Sequence, residues 1–330
     1  MVSTVGAPLG AVQLTFLYRR KLCCMLRLQR DHLETLLAAV DHGTLDAAAR
    51  ALAITPSAVS QRIKAMEQQL GRVLLQRTTP VAPTADGAVV LRHARQARLL
   101  EDETARALGA VGDADAPVVP SIPLAVNADT LGTWFLDALA LVRADTEVVF
   151  DLHREDQDRT AELLRAGTVM AAVTAEADPV QGCSSVALGV DRYRAVAAPA
   201  FVDRYLAGAV SERQMTARLD AVPLVDYDRD DDLQQGYLRR VLGHAPRGPR
   251  HFVPTSADFA RAVSLGFGWG MLPEAQCLDG LRSGALVELT PGRRADVALW
   301  WQRWNLASPL LERVTEAVRA TAHERLHQPG

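Results

Sequence analysis

The stretch between residues 44 and 71 constrains the fold of this chain more than any other. Residues 45–52 are rich in alanine, and Thr44 before them is a suitable N-cap for a helix. After a short turn, Pro56 suits the first turn of the next helix, because its missing amide proton has no partner to lose there. The pattern predicts two helices joined by a tight turn, preceded by another helix over residues 29–42.

The helix that begins at Pro56 has two contrasting faces. One carries Val59, Ile63 and Met66 at helical spacing, which indicates packing against a core. The other is polar but mostly uncharged, whereas a face that is only solvated usually carries Glu–Lys pairs. Hydroxyl and amide groups beside a few cations suit base edges and phosphates in a DNA groove, although an ordinary helical pair also fits the pattern. The polar face consists of Ser57, Ser60, Gln61, Lys64 and Gln68.

The charges of the chain are unevenly distributed. The net charge is −3, but residues 19–98 carry 13 Lys and Arg against 6 Asp and Glu, whereas residues 99–330 carry 23 against 33. A basic front on an acidic body indicates that the front approaches a polyanion and that the remainder has a different task.

Composition is that of a globular protein of two or three domains. Of the 330 residues 48% are hydrophobic, and no apolar run reaches the roughly 18 residues of a membrane-spanning helix. The four cysteines match neither a zinc site nor a secreted disulfide framework, and the basic residues 19–21 follow the apolar start, where a secretory signal would have them first. We therefore expect a cytoplasmic protein without membrane association, and we interpret residues 1–27 as a disordered or mis-started extension.

The front module closely resembles a known family. Its sequence is similar to the DNA-binding signature of LysR-type transcriptional regulators, which have a winged helix-turn-helix followed by a long linker helix. Five motifs carry the resemblance: AAARAL at residues 47–52, TPSAVSQRIK at 55–64, EQQLG at 67–71, LLQR at 74–77 and PTADG at 83–87.

The resemblance implies a domain order. After residues 1–27, a winged helix-turn-helix occupies residues 28–83, a linker and dimerisation helix with a hinge occupies residues 84–116, and an effector-binding domain occupies residues 117–330. In the family the linker helix pairs two subunits, and here its weak apolar seam would consist of Val90, Leu91, Ala94, Ala97, Ala105 and Leu108.

The same resemblance implies the DNA contacts. Hydroxyl and amide groups of the helix after Pro56 would face bases, and nearby cations would hold phosphates. Glutamine can form two hydrogen bonds with adenine, and cations give affinity that weakens with salt. The predicted DNA-contact set is Thr55, Ser57, Ala58, Ser60, Gln61, Arg62, Lys64 and Arg77.

Short apolar strands alternate with helical stretches beyond a Gly-, Asp- and Pro-rich hinge that ends near residue 117. This alternation is typical of a parallel sheet with covering helices. Because a second set of such elements follows the first, we expect two α/β lobes with a ligand cleft between them, similar to the periplasmic-binding-protein-like sensor domain of the family.

Four motifs of this body are informative: LAVNADTLGTW at residues 124–134, EDQDRT at 155–160, LTPG at 289–292 and WWQR at 300–303. They resemble the ArgP/LysG branch of the family, whose members respond to lysine or arginine and control basic amino-acid export. Asn127 and Thr130 at a predicted helix start could receive the carboxylate of an effector, while acidic residues after strands could receive its ammonium or guanidinium group. The expected effector-binding set is Asn127, Asp129, Thr130, Glu155, Asp156, Thr174, Asp228 and Ser256.

Other patterns carry no assigned role. The acidic run at residues 226–232 lacks the spacing of a calcium loop, and we interpret it as a solvated loop. Gly266, Gly268 and Gly270 precede a strand and do not open a helix, which favours close packing or a turn over a dinucleotide site. We expect no catalytic residue, no metal and no cofactor other than a small effector.

The sequence therefore predicts a DNA-binding transcriptional regulator and not an enzyme. Its expected partners are promoter DNA, RNA polymerase and further copies of itself, as a homodimer or homotetramer. Its expected effector is lysine or arginine, and its expected target is a basic amino-acid exporter gene. The alternatives are a regulator of another operon with another effector, a small-molecule-binding protein or enzyme that uses the two-lobed domain, and a nonspecific architectural DNA binder.

Overall fold

The computed structural model describes residues 28–76, 78–109, 119–155, 157–209, 211–244 and 247–328. The chain divides into two compact units, with the boundary between Glu101 and Asp102. The predicted extension at residues 1–27 and the end of the predicted hinge near residue 117 lie outside the described residues.

Three helices form the centre of the front unit: α1 (Arg30–Asp41), α2 (Leu45–Ala51) and α3 (Pro56–Leu70). The apolar face of α3 is buried against α1 and α2 as its spacing predicts, because the small side chains of α2 allow a close crossing. The helices and their boundaries confirm the predicted helix-turn-helix.

Side chains of the sequence fix where these helices begin and end. Thr44 Oγ1 accepts a hydrogen bond from the Ala47 amide at 3.1 Å, and Thr55 Oγ1 accepts one from the Ala58 amide at 3.2 Å. Gly71 ends α3 at φ +64°, in the left-handed region that glycine enters without strain. Both predicted caps are therefore present.

A small wing follows α3. Its strands β1 (Leu75–Gln76) and β2 (Ala82–Pro83) pair antiparallel, and helix α4 (Ala85–Ala107) begins two residues after the wing ends. Thr84, between them, donates its amide to Leu74 O at 2.9 Å and caps α4 by accepting from the Gly87 amide at 3.0 Å. These bonds attach the start of the long helix directly to the wing.

The predicted seam of α4 is only partly available for pairing subunits. Val90, Leu91 and Ala94 are buried within the front unit itself, against the core that α1 and α3 also contribute to. Sequence spacing identified an apolar stripe but could not tell which partner covers it. Leu108, at 77% exposure, is the member of the stripe that remains most accessible.

The second unit is an α/β body. Helix α5 is a continuous run of an α-helical turn (Ala128–Thr130), a π-helical segment (Leu131–Phe135) and an α-helix (Leu136–Asp145). Helix α7 consists of Pro199–Phe201 and the π-helical Val202–Leu206. The other helices are α6 (Gln157–Arg165), α8 (Glu212–Leu219), α9 (Leu233–Leu242), α10 (Ser256–Ser264), α11 (Glu274–Ser283) and α12 (Pro309–Arg325). Its strands are β3 (Ser121–Val126), β4 (Val149–Arg154), β5 (Ala171–Thr174), β6 (Cys183–Ala197), β7 (Leu224–Asp226), β8 (Arg250–Phe252), β9 (Gly270–Pro273), β10 (Val287–Glu288) and β11 (Arg294–Trp304).

The main sheet is mixed, which corrects the expectation of a parallel sheet. Its seven strands run in the order β10-β6-β11-β5-β3-β4, with β9 also paired to β6. Pairing is parallel only between β3 and its neighbours, while β6 and β11 are antiparallel to their partners; β7 and β8 form a separate parallel pair. The alternation of strands and helices did not reveal that the two longest strands, β6 and β11, run antiparallel to their neighbours.

Strands β6 and β11 link two lobes of the body. Trp300 and its successors in β11 pair with β5 in the first lobe, whereas the far end of β6 pairs with β9 in the second. The register shifts between Leu299 and Trp300, so a bulge marks the passage between lobes. At the same place Gly189 lies so close to the chain end that a Cβ there would meet Leu326 Cβ at 2.9 Å. The two lobes predicted from the repeated pattern are thus joined by continuous strands.

A charged network lies in the second lobe. Arg194 on β6 donates through Nε to Glu274 of α11 at 2.7 Å and through Nη1 to Glu288 of β10 at 2.8 Å, and all three side chains are less than one-fifth exposed. Next along the same strand, Arg192 pairs with Asp296 at 2.9 Å in a more exposed position. Among the described residues, no helix is both long and apolar enough to span a membrane.

Candidate functional site

The face of α3 predicted to read DNA is accessible. Ser57, Ser60, Gln61 and Lys64 are all exposed, one to two turns apart along the helix, while the opposite face is buried. A protruding helix with short polar groups and a lysine is able to enter a major groove and offer both donors and acceptors to base edges.

Other members of the predicted contact set are engaged inside the unit. The Arg62 guanidinium donates to Thr35 Oγ1 and to Asp31 Oδ2 of α1, each at 3.3 Å, because α1 packs beside this turn of α3. Thr55 is occupied as the helix cap, and Ala58 is half-buried. Arg77 lies outside the described residues.

The second unit contains a cavity of about 530 Å³. It lies where the start of α5, strand β6, the loop after β7, and helices α6, α9 and α10 meet. Its lining contains both polar and apolar side chains, which suits a ligand that has charged groups and a methylene chain. The lining residues are Asn127, Ala128, Asp129, Arg159, Tyr193, Tyr227, Asp230, Asp231, Asp232, Leu233, Gln234, Phe259, Met271, Leu272 and Val297.

Asp129 is the most tightly held acid of the cavity. Its Oδ2 accepts a hydrogen bond from the Tyr193 hydroxyl at 2.9 Å, and its Oδ1 accepts one from Ser256 Oγ at 2.6 Å. Asn127 precedes it as the cap of α5, with Oδ1 accepting from the Thr130 amide at 2.8 Å. A carboxylate offers about four acceptor positions, so Asp129 retains acceptor capacity for a ligand cation.

Three more acids of the cavity, Asp230, Asp231 and Asp232, come from the loop after β7. Asp228 Oδ1 accepts from the amides of Asp230 and Asp231 at 2.8 Å, and Asp231 in turn accepts from the Leu233 amide at 2.9 Å. Burial raises the pKa of Asp231 above its ordinary value, against hydrogen bonds from backbone amides that lower it. The interpretation of this run as a solvated loop holds for the exposed Asp230 and Asp232 and is wrong for the buried Asp226. The loop also folds on itself, and Asp230, Asp231 and Asp232 line the cavity.

A further buried acid lies beside the cavity. Asp191 is 7% exposed on β6, two residues before Tyr193 and paired with Val297, so the three side chains share one face of the sheet. Burial raises the pKa of Asp191 to about 7, and the negative charge of Asp129 adds to the shift. Burial together with Asp129 and Asp191 also raises the pKa of the Tyr193 hydroxyl, which keeps it a hydrogen-bond donor.

The cavity is strongly acidic. Four aspartates and one basic residue, Arg159, line it. Glu155, which precedes α6, does not line it; its carboxylate pairs with the Arg159 guanidinium at 3.2 Å. Such a surface attracts a cation, although Asp232 is also paired with Arg239 of α9. Arg159, which pairs with Glu155, is the one positively charged lining group among the described residues.

Several residues of the predicted effector set do not line the cavity. Thr130 is fully buried behind the helix start, and Thr174 is buried at the end of β5, where its hydroxyl accepts from the Glu176 amide at 3.1 Å. Asp228 shapes the acidic loop and Ser256 lies behind Asp129. Being at a strand end or a helix start placed these residues near the site, but each has a structural contact instead. Asp156 lies outside the described residues.

Most of the lining escaped the sequence analysis. The acidic loop follows β7 as Asn127 follows β3, and the rule that ligands collect at strand ends selected Asp228 but not its neighbours Asp230, Asp231 and Asp232. No local signal marked Tyr193, Phe259 or Val297, because an aromatic or aliphatic residue in a strand or helix is usually core.

The glycine pattern before β9 has the structural role predicted for it. Gly266 adopts φ +79° in a turn, and a Cβ at Gly270 would lie 2.8 Å from Phe259 Cε1. Within the described residues there is no group of three or more His, Cys, Asp or Glu that could hold a metal ion.

Comparisons with known proteins agree on both units. The family of bacterial regulatory helix-turn-helix proteins of the lysR type matches residues 30–88, and the LysR substrate-binding domain matches residues 120–323. A lysine export transcriptional regulatory protein, LysG, from Corynebacterium efficiens is 43% identical over 290 residues, which cover 87% of this chain and 95% of the relative.

Two solved structures are similar over nearly the whole chain. The crystal structure of ArgP from Mycobacterium tuberculosis is 40% identical with a TM-score of 0.79, and the match covers 92% of this chain and 100% of that one. The full-length LysG of Corynebacterium glutamicum with bound effector Arg is 38% identical with a TM-score of 0.73, covering 91% and 100%.

Proposed function

We propose a function for this chain from its family and its cavity, since the chain belongs to the LysR family of bacterial helix-turn-helix transcriptional regulators. It binds promoter DNA through α3. It changes its action when a cationic amino acid, lysine or arginine, occupies the acidic cavity. Its target is a gene for basic amino-acid export. The relative from Corynebacterium efficiens is named for lysine export, and the LysG structure from Corynebacterium glutamicum contains arginine.

The charge of the cavity is the observation that carries the effector proposal. Asp129 and the three acids of the loop after β7 provide a negative surface for an ammonium or guanidinium group, and Leu233, Phe259 and Met271 among other side chains provide an apolar wall for methylene groups. Arg159 supplies the counter-charge for an α-carboxylate. Neutral and acidic amino acids have no side-chain cation to pair with these carboxylates, so the cavity disfavours their binding.

The DNA contacts divide by exposure. Ser57, Ser60 and Gln61 read base edges, and Lys64 holds a phosphate. Thr55, although exposed, is engaged as the cap of α3, Ala58 is half-buried, and Arg62 pairs with α1, while Arg77 remains a predicted phosphate contact of the wing. The domain boundaries stay those of the sequence, with residues 28–83 as the DNA-binding domain, 84–116 as linker and 117–330 as sensor.

The assembly and the readout complete the proposal. Two or four copies associate through the linker helix and bind DNA as a dimer or tetramer, and the effector changes the bend of the DNA or the contact with RNA polymerase. A ligand can do so only by binding the alternative assemblies with different affinity.

Fluorescence anisotropy with the duplex upstream of the protein's own gene and a scrambled duplex, over a series of salt concentrations, tests the DNA part. Gln61→Ala should lower the preference for the native duplex by about ten- to a hundredfold, since a two-pronged base contact is worth roughly 1–3 kcal/mol. Lys64→Gln should weaken binding to both duplexes equally, and should lower the slope of log affinity against log salt concentration by about one. Gln29→Ala, at an exposed glutamine before α1 and outside the polar face of α3, is the matched control. Equal affinity of the native protein for both duplexes would refute specific recognition.

Calorimetry tests the effector part, with arginine, lysine, glutamate and norleucine as ligands. We expect binding of the two basic amino acids alone. Asp230→Asn should weaken that binding by about three- to tenfold, since an exposed cavity carboxylate contributes one screened charge. Asp203→Asn, outside the cavity, should leave it unchanged. Equal binding of norleucine would show that the charge of the cavity does not select the ligand.

A further inference from the structure

A chain of hydrogen bonds leads from the cavity into the second lobe. Ser256 Oγ, at the start of α10, donates to Asp129 Oδ1 at 2.6 Å, and Gln276 Nε2 of α11 donates to Ser256 Oγ at 2.7 Å. A serine hydroxyl has a single proton, so accepting a bond from Gln276 leaves that proton for Asp129. With Tyr193 on the other oxygen, the carboxylate is held directly from two elements, α10 and β6, and through Ser256 from a third, α11.

The helices that carry this chain of bonds approach each other closely. A Cβ on Gly132 of α5 would lie 3.4 Å from both Cβ and Oγ of Ser256 and 3.8 Å from Gln276 Nε2. Ser256 is 8% exposed, and Gln276 is half-buried. The low exposure of Ser256 leaves little room for competing water, which strengthens its hydrogen bond to Asp129.

We propose that Ser256 and Gln276 are positioning residues of the effector site. Neither side chain lines the cavity, and both act through Asp129 by holding its carboxylate in the orientation that receives a cationic group of the effector. A carboxylate that is oriented before the ligand arrives loses less conformational freedom on binding, so the affinity rises without a new contact. The inference rests on the proposed cationic effector and names the residues that set its affinity.

Calorimetry on the full chain with arginine, and with lysine as second probe, tests this role. Ser256→Ala removes the donor to Asp129 and should weaken binding by about tenfold, the loss expected when a supporting hydrogen bond to a charged group is removed. Gln276→Met keeps the volume but frees the serine hydroxyl to rotate, and should weaken binding by about threefold. Thr255→Ala is the matched control: it removes the cap of the same helix, where Thr255 Oγ1 accepts from the Asp258 amide, without touching Asp129.

A double-mutant cycle separates positioning from a general structural role. If Ser256 acts through Asp129, then Ser256→Ala should cost less than about twofold in an Asp129→Asn background. Three results would overturn the inference while the cationic effector stands. They are an equal loss of effector affinity from Ser256→Ala in the native and the Asp129→Asn backgrounds, native affinity in Ser256→Ala, and a loss in Thr255→Ala as large as that in Ser256→Ala. A native protein that binds neither arginine nor lysine would overturn the proposed effector and this inference with it.

Discussion

Replacing Gly87 with alanine sets helix propensity against packing. Gly87 lies in the first turn of α4 with ordinary helical geometry, so propensity alone favours alanine by about 1 kcal/mol. In the folded unit, however, a Cβ at this position would lie 1.9 Å from the carbonyl oxygen of Leu74 and 2.8 Å from its carbon. These are backbone atoms at the entry to the wing, and they cannot turn away as a side chain does.

The cost follows from what must move. An ordinary carbon–oxygen contact needs more than 3 Å, so α4 and the wing must separate by over 1 Å, which strains or breaks the two hydrogen bonds from Thr84 to Leu74 O. Overpacking costs about 1–3 kcal/mol and each lost hydrogen bond about 1 kcal/mol, against about 1 kcal/mol gained from propensity. We expect a net loss of about 2–4 kcal/mol in the stability of the front unit.

Hydrogen exchange by mass spectrometry measures this locally. Peptides that cover the wing and the first turns of α4 should lose protection by about thirtyfold or more in Gly87→Ala, and DNA affinity should fall with them. Gly71→Ala is the control in the same unit: its φ of +64° costs about 1 kcal/mol, but a Cβ there meets nothing within 4 Å. Protection in Gly87→Ala equal to or above that of the native chain would refute the packing argument.

Three further changes follow from buried groups and a cap. Arg194→Met removes the cation that the mostly buried Glu274 and Glu288 share, and Glu274 keeps only its contact with His327. It should lower the free energy of unfolding of the second unit by about 2–4 kcal/mol in urea melts, whereas Arg192→Met, at a more exposed pair, should cost at most about 1 kcal/mol; equal losses would contradict the role of burial. Burial raises the pKa of Asp191 to about 7, so the folded chain keeps a proton that the unfolded chain releases near the ordinary pKa of 3.8. The stability of the folded chain therefore falls as the pH rises between these two values. Asp191→Asn should therefore raise the melting temperature near pH 8 and leave it almost unchanged near pH 4; a gain of the same size at both values would exclude this titration. Thr55→Ala removes the cap of α3 and should cost about 1 kcal/mol, seen as weaker binding to native and scrambled duplexes alike, and a loss confined to the native duplex would instead indicate a base contact.

The front unit was predictable because its interactions are local. Thr44, Thr55, Pro56 and Gly71 each act within a few residues along the chain, and the apolar spacing of α3 identifies the buried face before any partner is known. The contact of Arg62 with α1 was not predictable, since 31 residues separate it from Asp31 and an arginine on a DNA-facing helix reads equally well as a phosphate contact.

In the second unit the sequence located strands and helices but not their directions. The predicted strand over residues 193–198 is the end of the 15-residue β6, whose first part mixes buried and half-buried polar residues and so lacks a clear apolar run. Strand polarity depends on which edges meet in space, and hydrophobic alternation is the same for a parallel and an antiparallel neighbour.

The amino-acid sequence by itself determined the helix-turn-helix, its caps and the acidic character of the body, because charge, capping and periodicity are properties of single residues and near neighbours. Only the tertiary structure decided which acids serve the cavity. Tyr193 and Ser256 lie 64 and 127 residues from Asp129 along the chain. The three residues meet because β6 passes between the lobes and α10 packs on α5. The run after β7, which by pattern is an ordinary loop, becomes part of the site for the same reason.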